Sequence, residues 1–180
     1  MDALYIFVEG DDDERFFREI LFPRLKEKYS NIKIVKYARK SKKSEYIKRF
    51  IQSILSMKGN YIYVTDINDS PCVTAKKQEI KNRIRNIDGN KILVVIKEIE
   101  SWYMAGIDRN SAKNLGIKDK DFRTIERTTE TITKEQFNSL IPKKFSSRID
   151  FMREILKKFS INIAKNKTRS LKYCIEKYDC

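Results

Sequence analysis

Acidic residues follow three separate apolar runs of this sequence. Glu9 comes directly after the run 4–8, Asp66 comes directly after 61–65, and Glu98 and Glu100 follow 92–96. Carboxylates that gather in one place repel one another unless a cation lies among them. A hard cation such as Mg²⁺ or Mn²⁺ prefers oxygen ligands and can bridge protein and phosphate. These residues therefore predict a carboxylate-held metal site, although helix capping could explain any one of the three groups.

The chain contains no histidine, and its cysteines are scattered without a C-x-x-C spacing. The lack of histidine excludes Ser-His-Asp and Cys-His nucleophiles and imidazole metal sites. The cysteine pattern argues against a zinc site and against a disulfide framework, and it suits a reducing compartment. No apolar segment approaches the roughly 20 residues of a membrane helix. We therefore expect a soluble, cytoplasmic protein that does not associate with membranes.

Alternating strand and helix patterns position the acidic groups. Strands are predicted at 4–8, 32–37, 61–65 and 92–96, and amphipathic helices at 14–28, 44–57 and 73–87. This alternation is typical of βαβ units and predicts an α/β, Rossmann-like fold with a parallel sheet of about four strands flanked by helices. The strand at 32–37 has one polar face and is expected toward an edge. Because parallel strands end at the same edge of a sheet, we expect the acidic residues to converge there.

The order of these motifs resembles that of TOPRIM domains. Val8-Glu9-Gly10, followed by Asp13 and a helix, is similar to the first TOPRIM motif, and Asp66-Ile67-Asn68 lies where that family carries Asp-x-Asp. The segment from Glu98 to Ala105 resembles the Glu-x-Glu segment of small stand-alone TOPRIM-like proteins related to OLD-family nucleases, which are often associated with phage defence. The resemblance covers residues 4 to 108, approximately, and implies a TOPRIM fold that handles phosphodiesters with a divalent metal.

The resemblance also implies a role for each matching residue. Glu9 would coordinate metal or act as a general acid or base, and Asp66 would be the principal metal ligand. The implied metal ligands are Glu9, Asp13, Asp66, Asn68 and Asp69, and the implied catalytic residues are Glu9, Asp66, Glu98 and Glu100. Asn68 departs from the family pattern, because its amide keeps an oxygen donor but lacks the negative charge of an aspartate.

The sequence becomes more strongly basic after residue 107. We predict a TOPRIM-like α/β domain at 1–107 and a basic, mainly helical extension at 108–180 that packs on it. Helices are expected at 109–115, 134–141, 147–159 and 168–178. The stretch 117–131 is polar with little periodicity and is expected to form a loop or an extended excursion.

The net charge of +14 predicts a polyanionic partner, DNA or RNA, although a merely lysine-rich surface would also account for it. The predicted phosphate contacts are Arg39, Lys40, Lys42 and Lys43 in a basic loop, and Lys165, Lys167 and Arg169 at the start of the last helix. No Walker A loop is present, so an ATPase would have to be a separate partner subunit. The oligomeric state is left open.

The residues and the resemblance together predict a metal-dependent TOPRIM nuclease that uses Mg²⁺ or Mn²⁺. Asn68 motivates one alternative, a catalytically weak subunit that binds nucleic acid or a protein partner. A second alternative is a receiver-like phosphoacceptor, because the acids at 11–13, Asp66 and Lys97 follow a similar layout. The basic character of the chain and the additional C-terminal helices argue against that alternative.

Overall fold

The computed structural model describes residues 3–38 and 42–180. The chain divides into two compact units, one formed by residues 1–95 with 178–180 and the other by residues 96–177. This division falls at residue 95, twelve residues before the predicted boundary at 107. The strand and helix patterns of the α/β domain therefore end with the fourth strand.

A parallel sheet of four strands forms the centre of the first unit, as the alternating pattern predicted. Its strands are β1 (Ala3–Val8), β2 (Asn31–Lys36), β3 (Asn60–Asp66) and β4 (Ile92–Val95), in the order β2-β1-β3-β4. The register pairs Val8 with Lys36, Phe7 with Tyr63 and Asp66 with Val95. The predicted α/β class and the edge position of β2 are both confirmed.

The first helical segment of this unit contains an irregular turn. We predicted one helix at 14–28 with a kink at Pro23, but the chain forms α1 (Asp11–Phe16), a π-helical turn (Phe17–Leu21) and α2 (Phe22–Leu25). Pro23 lies in the first turn of α2, directly after the π-helical turn. The irregularity therefore precedes the proline.

Two longer helices of the first unit lie next to one face of the sheet. They are α3 (Lys43–Ser56) and α4 (Val73–Arg83), and a short 3₁₀ turn (Gly89–Lys91) precedes β4. Ile47 and Ile51 of α3 and Ile80 of α4 share one buried cluster with Phe7 and Tyr63 of the sheet. This packing fixes the start of α3 beside the carboxyl ends of the strands.

The second unit is helical. It contains α5 (Glu100–Ala105), α6 (Arg109–Leu115), α7 (Asp119–Thr128), a 3₁₀ turn (Thr129–Thr131), α8 (Lys134–Ser139), α9 (Arg148–Lys157) and α10 (Ile161–Lys167), and α11 (Arg169–Tyr178) ends the chain. The predicted loop at 117–131 is wrong, because most of it is α7. Phe122 and Ile125 are the two apolar residues that α7 buries, too few to make its periodicity evident from sequence.

The predicted start of the last helix is also wrong in part. Lys165 and Lys167 lie in the last turn of α10, a helix that the sequence patterns did not reveal, and Thr168 separates α10 from α11. Backbone carbonyl groups, rather than N–H groups, are unsatisfied at that end of a helix. Among the described residues, no helix is long and apolar enough to cross a membrane.

Candidate functional site

A crevice of about 460 Å³ lies at the carboxyl ends of the strands in the first unit. Glu9 follows β1, Tyr37 follows β2, and Thr65 belongs to the end of β3. The other walls come from the loop after β3, from the start of α3 and from α4. The lining residues are Glu9, Tyr37, Lys42, Lys43, Ser44, Glu45, Ile47, Tyr63, Thr65, Asn68, Lys76 and Arg83. The crevice therefore lies where open parallel sheets usually bind ligands.

The lining carries more positive than negative charge. Two lysines at the start of α3 and two basic residues of α4 line the crevice, together with two carboxylates, Glu9 and Glu45. Within 3–38 and 42–180, the Glu9 carboxylate makes no hydrogen bond or ion pair. A half-buried carboxylate beside several cations leaves both kinds of group available to a ligand.

The start of α3 contributes backbone donors as well as lysines. Lys42 precedes the helix with φ of 50°, and no side chain caps the first turn. The N–H groups of Glu45 and Tyr46 donate to the Lys42 carbonyl oxygen, at 3.0 and 3.1 Å. In the described part of the chain, the N–H groups of Lys43 and Ser44 meet no acceptor. Such unsatisfied N–H groups favour anions.

Two stacked tyrosines form the inner wall. The rings of Tyr37 and Tyr63 lie 5.0 Å apart with an interplanar angle of 19°. The Tyr37 hydroxyl donates to the carbonyl oxygen of Val64 at 2.8 Å. The Tyr63 hydroxyl is buried and makes no hydrogen bond of normal geometry with any described residue. Burial raises the pKa of Tyr63, although nearby Tyr37 and Arg83 act in the opposite direction, so the hydroxyl keeps its proton.

A small ion-pair network holds the basic residues of α4. The Lys76 ammonium group is almost completely buried and lies 3.1 Å from a carboxylate oxygen of Glu79. Hydrogen bonds from Lys76 and from Ser70 lower the pKa of Glu79. Arg83 lies farther from the same carboxylate, at 3.8 Å. Lys76 is thus fixed in place, whereas the exposed Arg83 is held only loosely.

The segment after β3 explains why asparagine stands at position 68. Asn68 adopts a left-handed backbone conformation with φ of 49°, which asparagine tolerates better than most residues. Its side-chain N–H donates to the Asp66 carbonyl oxygen at 3.4 Å. Asn68 lines the crevice, whereas half-buried Asp66 and exposed Asp69 lie beside the lining.

The acids that follow Glu9 have local partners. Asp13 is 8% exposed, and its carboxylate accepts a hydrogen bond from the Gly10 N–H at 3.1 Å. Lys36 contacts Asp11 at 2.7 Å and Glu14 at 2.9 Å. Asp13 therefore closes the start of α1, the role that the acidic run was also expected to serve.

The predicted catalytic acids of the second unit are also engaged. Glu100 is 4% exposed and forms an ion pair with Arg148 of α9. The carboxylate of Glu98 accepts a hydrogen bond from the backbone N–H of Lys134, at the first turn of α8. Trp102 and Tyr103 are fully buried, as expected of core residues. Both acids therefore have partners within their own unit, and their catalytic role stays a prediction.

The basic residues predicted to contact phosphate differ in their surroundings. Arg39 and Lys40 lie outside the described residues, whereas Lys42 and Lys43 line the crevice. Lys167 donates to the Ile107 carbonyl oxygen at 2.8 Å, and Arg169 donates to Glu130 at 2.9 Å. Lys165 is half-buried at the end of α10. Of the predicted phosphate contacts that the structure describes, Lys42 and Lys43 belong to the crevice.

Sequence reasoning missed eight of the twelve lining residues, among them Tyr37, Tyr63, Lys76 and Arg83. The two tyrosines occupied strand-like runs, and the two basic residues belonged to a helix rich in lysine and arginine. No local pattern separates these four from their neighbours. Lys76 carried one signal in retrospect, because it lies on the same helical face as Ile80, four residues later.

The donor atoms present suit a hard cation. Glu9 and Asn68 offer oxygen atoms to the crevice, and Asp66 lies close to Asn68 in sequence. Among residues 3–38 and 42–180, no group of three or more Cys, Asp or Glu side chains is arranged to hold a metal. Mg²⁺ commonly takes only one or two carboxylates together with water and substrate phosphate. The residues therefore fit an ion that a phosphate ligand helps to hold.

Comparison of the chain with protein-family models, with curated proteins and with solved structures gave no match in any of the three.

Proposed function

We propose that this protein is a TOPRIM-type, metal-dependent nuclease that cleaves phosphodiester bonds of DNA or RNA in the crevice of its first unit. One observation carries the proposal: Glu9, whose carboxylate makes no hydrogen bond or ion pair with any described residue, shares the carboxyl edge of a parallel sheet with an excess of basic groups. Basic groups and free backbone N–H groups bind phosphate, and a carboxylate supplies a metal ligand or a base.

The residues of the crevice have different roles in the proposed reaction. Lys42, Lys43 and Arg83 attract the phosphate backbone and neutralise its charge, which gives affinity without reading sequence. The Glu9 carboxylate either provides an oxygen ligand to a metal ion beside the reacting phosphate or accepts a proton from water. The buried Lys76 supplies a fixed positive charge at the wall.

Mg²⁺ or Mn²⁺ would be held by Glu9, Asp66 and Asn68, with Asp13 and Asp69 as the weaker candidates. When bound, such an ion neutralises charge on the phosphate oxygens and lowers the pKa of water. The absence of histidine makes a carboxylate the most suitable side-chain base in the chain. We propose the cytoplasm as the compartment and phage defence as the setting, with any ATPase supplied by a separate subunit.

Cleavage of plasmid DNA and of structured RNA with Mg²⁺ or Mn²⁺ tests the proposal. Glu9→Gln and Asp66→Asn should each reduce the rate by about 100-fold or more, because each removes a charge needed in the transition state. Glu27→Gln is the matched control, because Glu27 is exposed on the surface and lies outside the crevice. Equal cleavage by wild type and Glu9→Gln would refute the assignment.

Binding without cleavage is a second candidate function. Two observations favour it: Arg148 engages Glu100, and position 68 carries an amide instead of a carboxylate. In that case wild type would leave both substrates intact with either metal, yet retain a labelled strand in a filter-binding assay. Exchange of Lys42 and Lys43 for glutamine would abolish that retention.

A further inference from the structure

The first turn of α3 lines the crevice and carries backbone N–H donors. The N–H groups of Lys43 and Ser44 meet no acceptor among the described residues, and the helix that they begin is 14 residues long. The peptide dipoles of such a helix add partial positive charge at this end. Lys42 and Lys43 are exposed beside these N–H groups.

A second observation, independent of the helix, points to a ligand at the same place. The Tyr63 side chain is completely buried, its hydroxyl has no hydrogen-bond partner of normal geometry in the described chain, and it lines the crevice. A buried hydroxyl without a partner is costly, and native structures seldom keep one without a reason. Because the hydroxyl stays protonated, it can donate to an acceptor in the crevice.

We propose that the start of α3, Tyr63 and Arg83 form a subsite that anchors one phosphate group of a nucleic-acid strand. The subsite rests on the proposed function, because it names the group that holds the substrate. Every contact offered is a donor: the N–H groups of Lys43 and Ser44, the Tyr63 hydroxyl and the guanidinium of Arg83. A phosphate carries only acceptor oxygens at its charged end, so its chemistry matches this set.

Burial and charge vary along the crevice. Tyr63 is fully buried and marks the inner end of the crevice, whereas exposed Lys42 and Lys43 mark its mouth. Glu9 and Glu45 line the same crevice and would repel a phosphate placed against them without a cation. The charge of Glu9 also acts on Tyr63, so Arg83, Lys42 and Lys43 must offset this repulsion for the phosphate to bind without a metal.

The phosphate has two sources in nucleic acid, a terminal monoester and an internal diester. A terminal phosphate carries close to two negative charges near neutral pH and an internal one carries a single charge. Fluorescence anisotropy with 5′-phosphorylated and 5′-hydroxyl oligonucleotides of one sequence distinguishes them. All binding measurements contain EDTA, so that cleavage and metal binding play no part, and inorganic phosphate serves as a competitor.

Tyr63→Phe and Arg83→Gln are the test variants. Each should weaken binding of the anchored oligonucleotide by about tenfold or more, the effect expected for one hydrogen bond to a charged group. Arg85→Gln is the control for charge, since Arg85 is exposed and lies outside the crevice. Tyr173→Phe is the control for the hydroxyl, because Tyr173 is exposed on α11. Both controls should bind as wild type does.

The outcomes separate the subsite from the proposed nuclease. A loss confined to the 5′-phosphorylated strand assigns a terminal phosphate, and an equal loss with both strands assigns an internal one. Unchanged affinity in Tyr63→Phe and Arg83→Gln overturns the subsite, even if Glu9→Gln abolishes cleavage. A loss seen only for inorganic phosphate overturns the assignment to nucleic acid. Weakened binding in a protein that never cleaves supports the subsite and refutes the nuclease.

Discussion

Tyr37 and Tyr63 differ in the hydrogen bonding of their hydroxyl groups. The two rings stack on each other, but only the Tyr37 hydroxyl donates to a backbone carbonyl, that of Val64. The Tyr63 hydroxyl is equally shielded from solvent without such a bond. The pair therefore provides an internal comparison of a satisfied and an unsatisfied buried hydroxyl.

Removal of each hydroxyl should change stability in opposite directions. We expect Tyr37→Phe to lower the free energy of unfolding by about 1 kcal/mol, since it leaves the Val64 carbonyl unpaired. Tyr63→Phe should leave that free energy unchanged or raise it by roughly 1 kcal/mol, since it removes a buried hydroxyl that makes no hydrogen bond of normal geometry with any described residue. Urea unfolding measures both values. A similar loss in the two variants would show that Tyr63 is hydrogen-bonded.

Asn68 contributes a neutral amide to the lining of the crevice. Replacing it with aspartate adds a carboxylate at a left-handed position that aspartate also tolerates. We expect Asn68→Asp to bind Mn²⁺ about tenfold more tightly in calorimetric titration, because charge count sets the affinity of such sites. Asn86→Asp is the matched control, since Asn86 is also exposed and also has positive φ, at 68°. Equal affinity in both variants would place the metal elsewhere.

At the scale of elements, one buried ion pair joins α5 to α9. Glu100 is almost completely buried, and its partner Arg148 is largely buried. Removal of one partner of such a pair leaves the other charge buried and uncompensated. The pair therefore gives Glu100 a structural role within the second unit, and the catalytic role that the resemblance implies stays a prediction.

Arg148→Met should destabilise the protein by about 3 kcal/mol, because it retains the apolar stem but leaves the Glu100 carboxylate without its cation. Arg153→Met on the same helix is the comparison, since Arg153 is 65% exposed and lies 4.0 Å from Asp150. Its loss should be less than about 1 kcal/mol. Urea unfolding at neutral pH measures both losses, and equal losses would contradict the role of the pair.

The capping of α6 should make stability depend on pH. The Asp108 carboxylate accepts a hydrogen bond from the Ser111 N–H at 2.7 Å, and this bond lowers the pKa of Asp108 below its ordinary value of 3.8. The contribution is therefore complete above that ordinary value and is lost as the pH falls through the lowered pKa.

Asp108→Ala should lower the free energy of unfolding by about 1 kcal/mol at pH 7. The difference from wild type should shrink in strongly acidic solution, where the wild-type carboxylate is protonated. Asp108→Asn keeps an oxygen acceptor and should show most of the wild-type stability without the dependence on pH. Urea unfolding of the three proteins over a pH series measures this effect. A constant difference at every pH would argue against the cap.

At the scale of the whole molecule, the charge of +14 sets the response of binding to salt. Binding of a single strand releases counterions, and the slope of log K against log salt changes by about 0.7 for each phosphate contact. Exchange of both Lys42 and Lys43 for glutamine should therefore make the slope shallower by about 1.4. The same exchange at exposed Lys157 and Lys158 of α9 should leave it unchanged. Equal slopes in both double variants would mean that binding is spread over the surface.

The sequence by itself determined the sheet and the residues at its edge. Each strand shows its apolar pattern within a few consecutive residues, so the parallel α/β class, the edge position of β2 and the site of Glu9 were all predictable. Lys42 and Lys43 were predicted for the same reason, as a dense basic run. These features are local, and local patterns survive without knowledge of the fold.

Only the tertiary structure decided which side chains meet. The crevice joins Tyr37, Tyr63, Lys76 and Arg83 from three elements, and nothing in the spacing of these residues marks their proximity. In the fold, Glu100 pairs with Arg148, and most of the predicted loop at 117–131 forms α7. Crossovers between strands bring distant residues together, and burial of a few side chains can stabilise a helix whose own pattern is sparse.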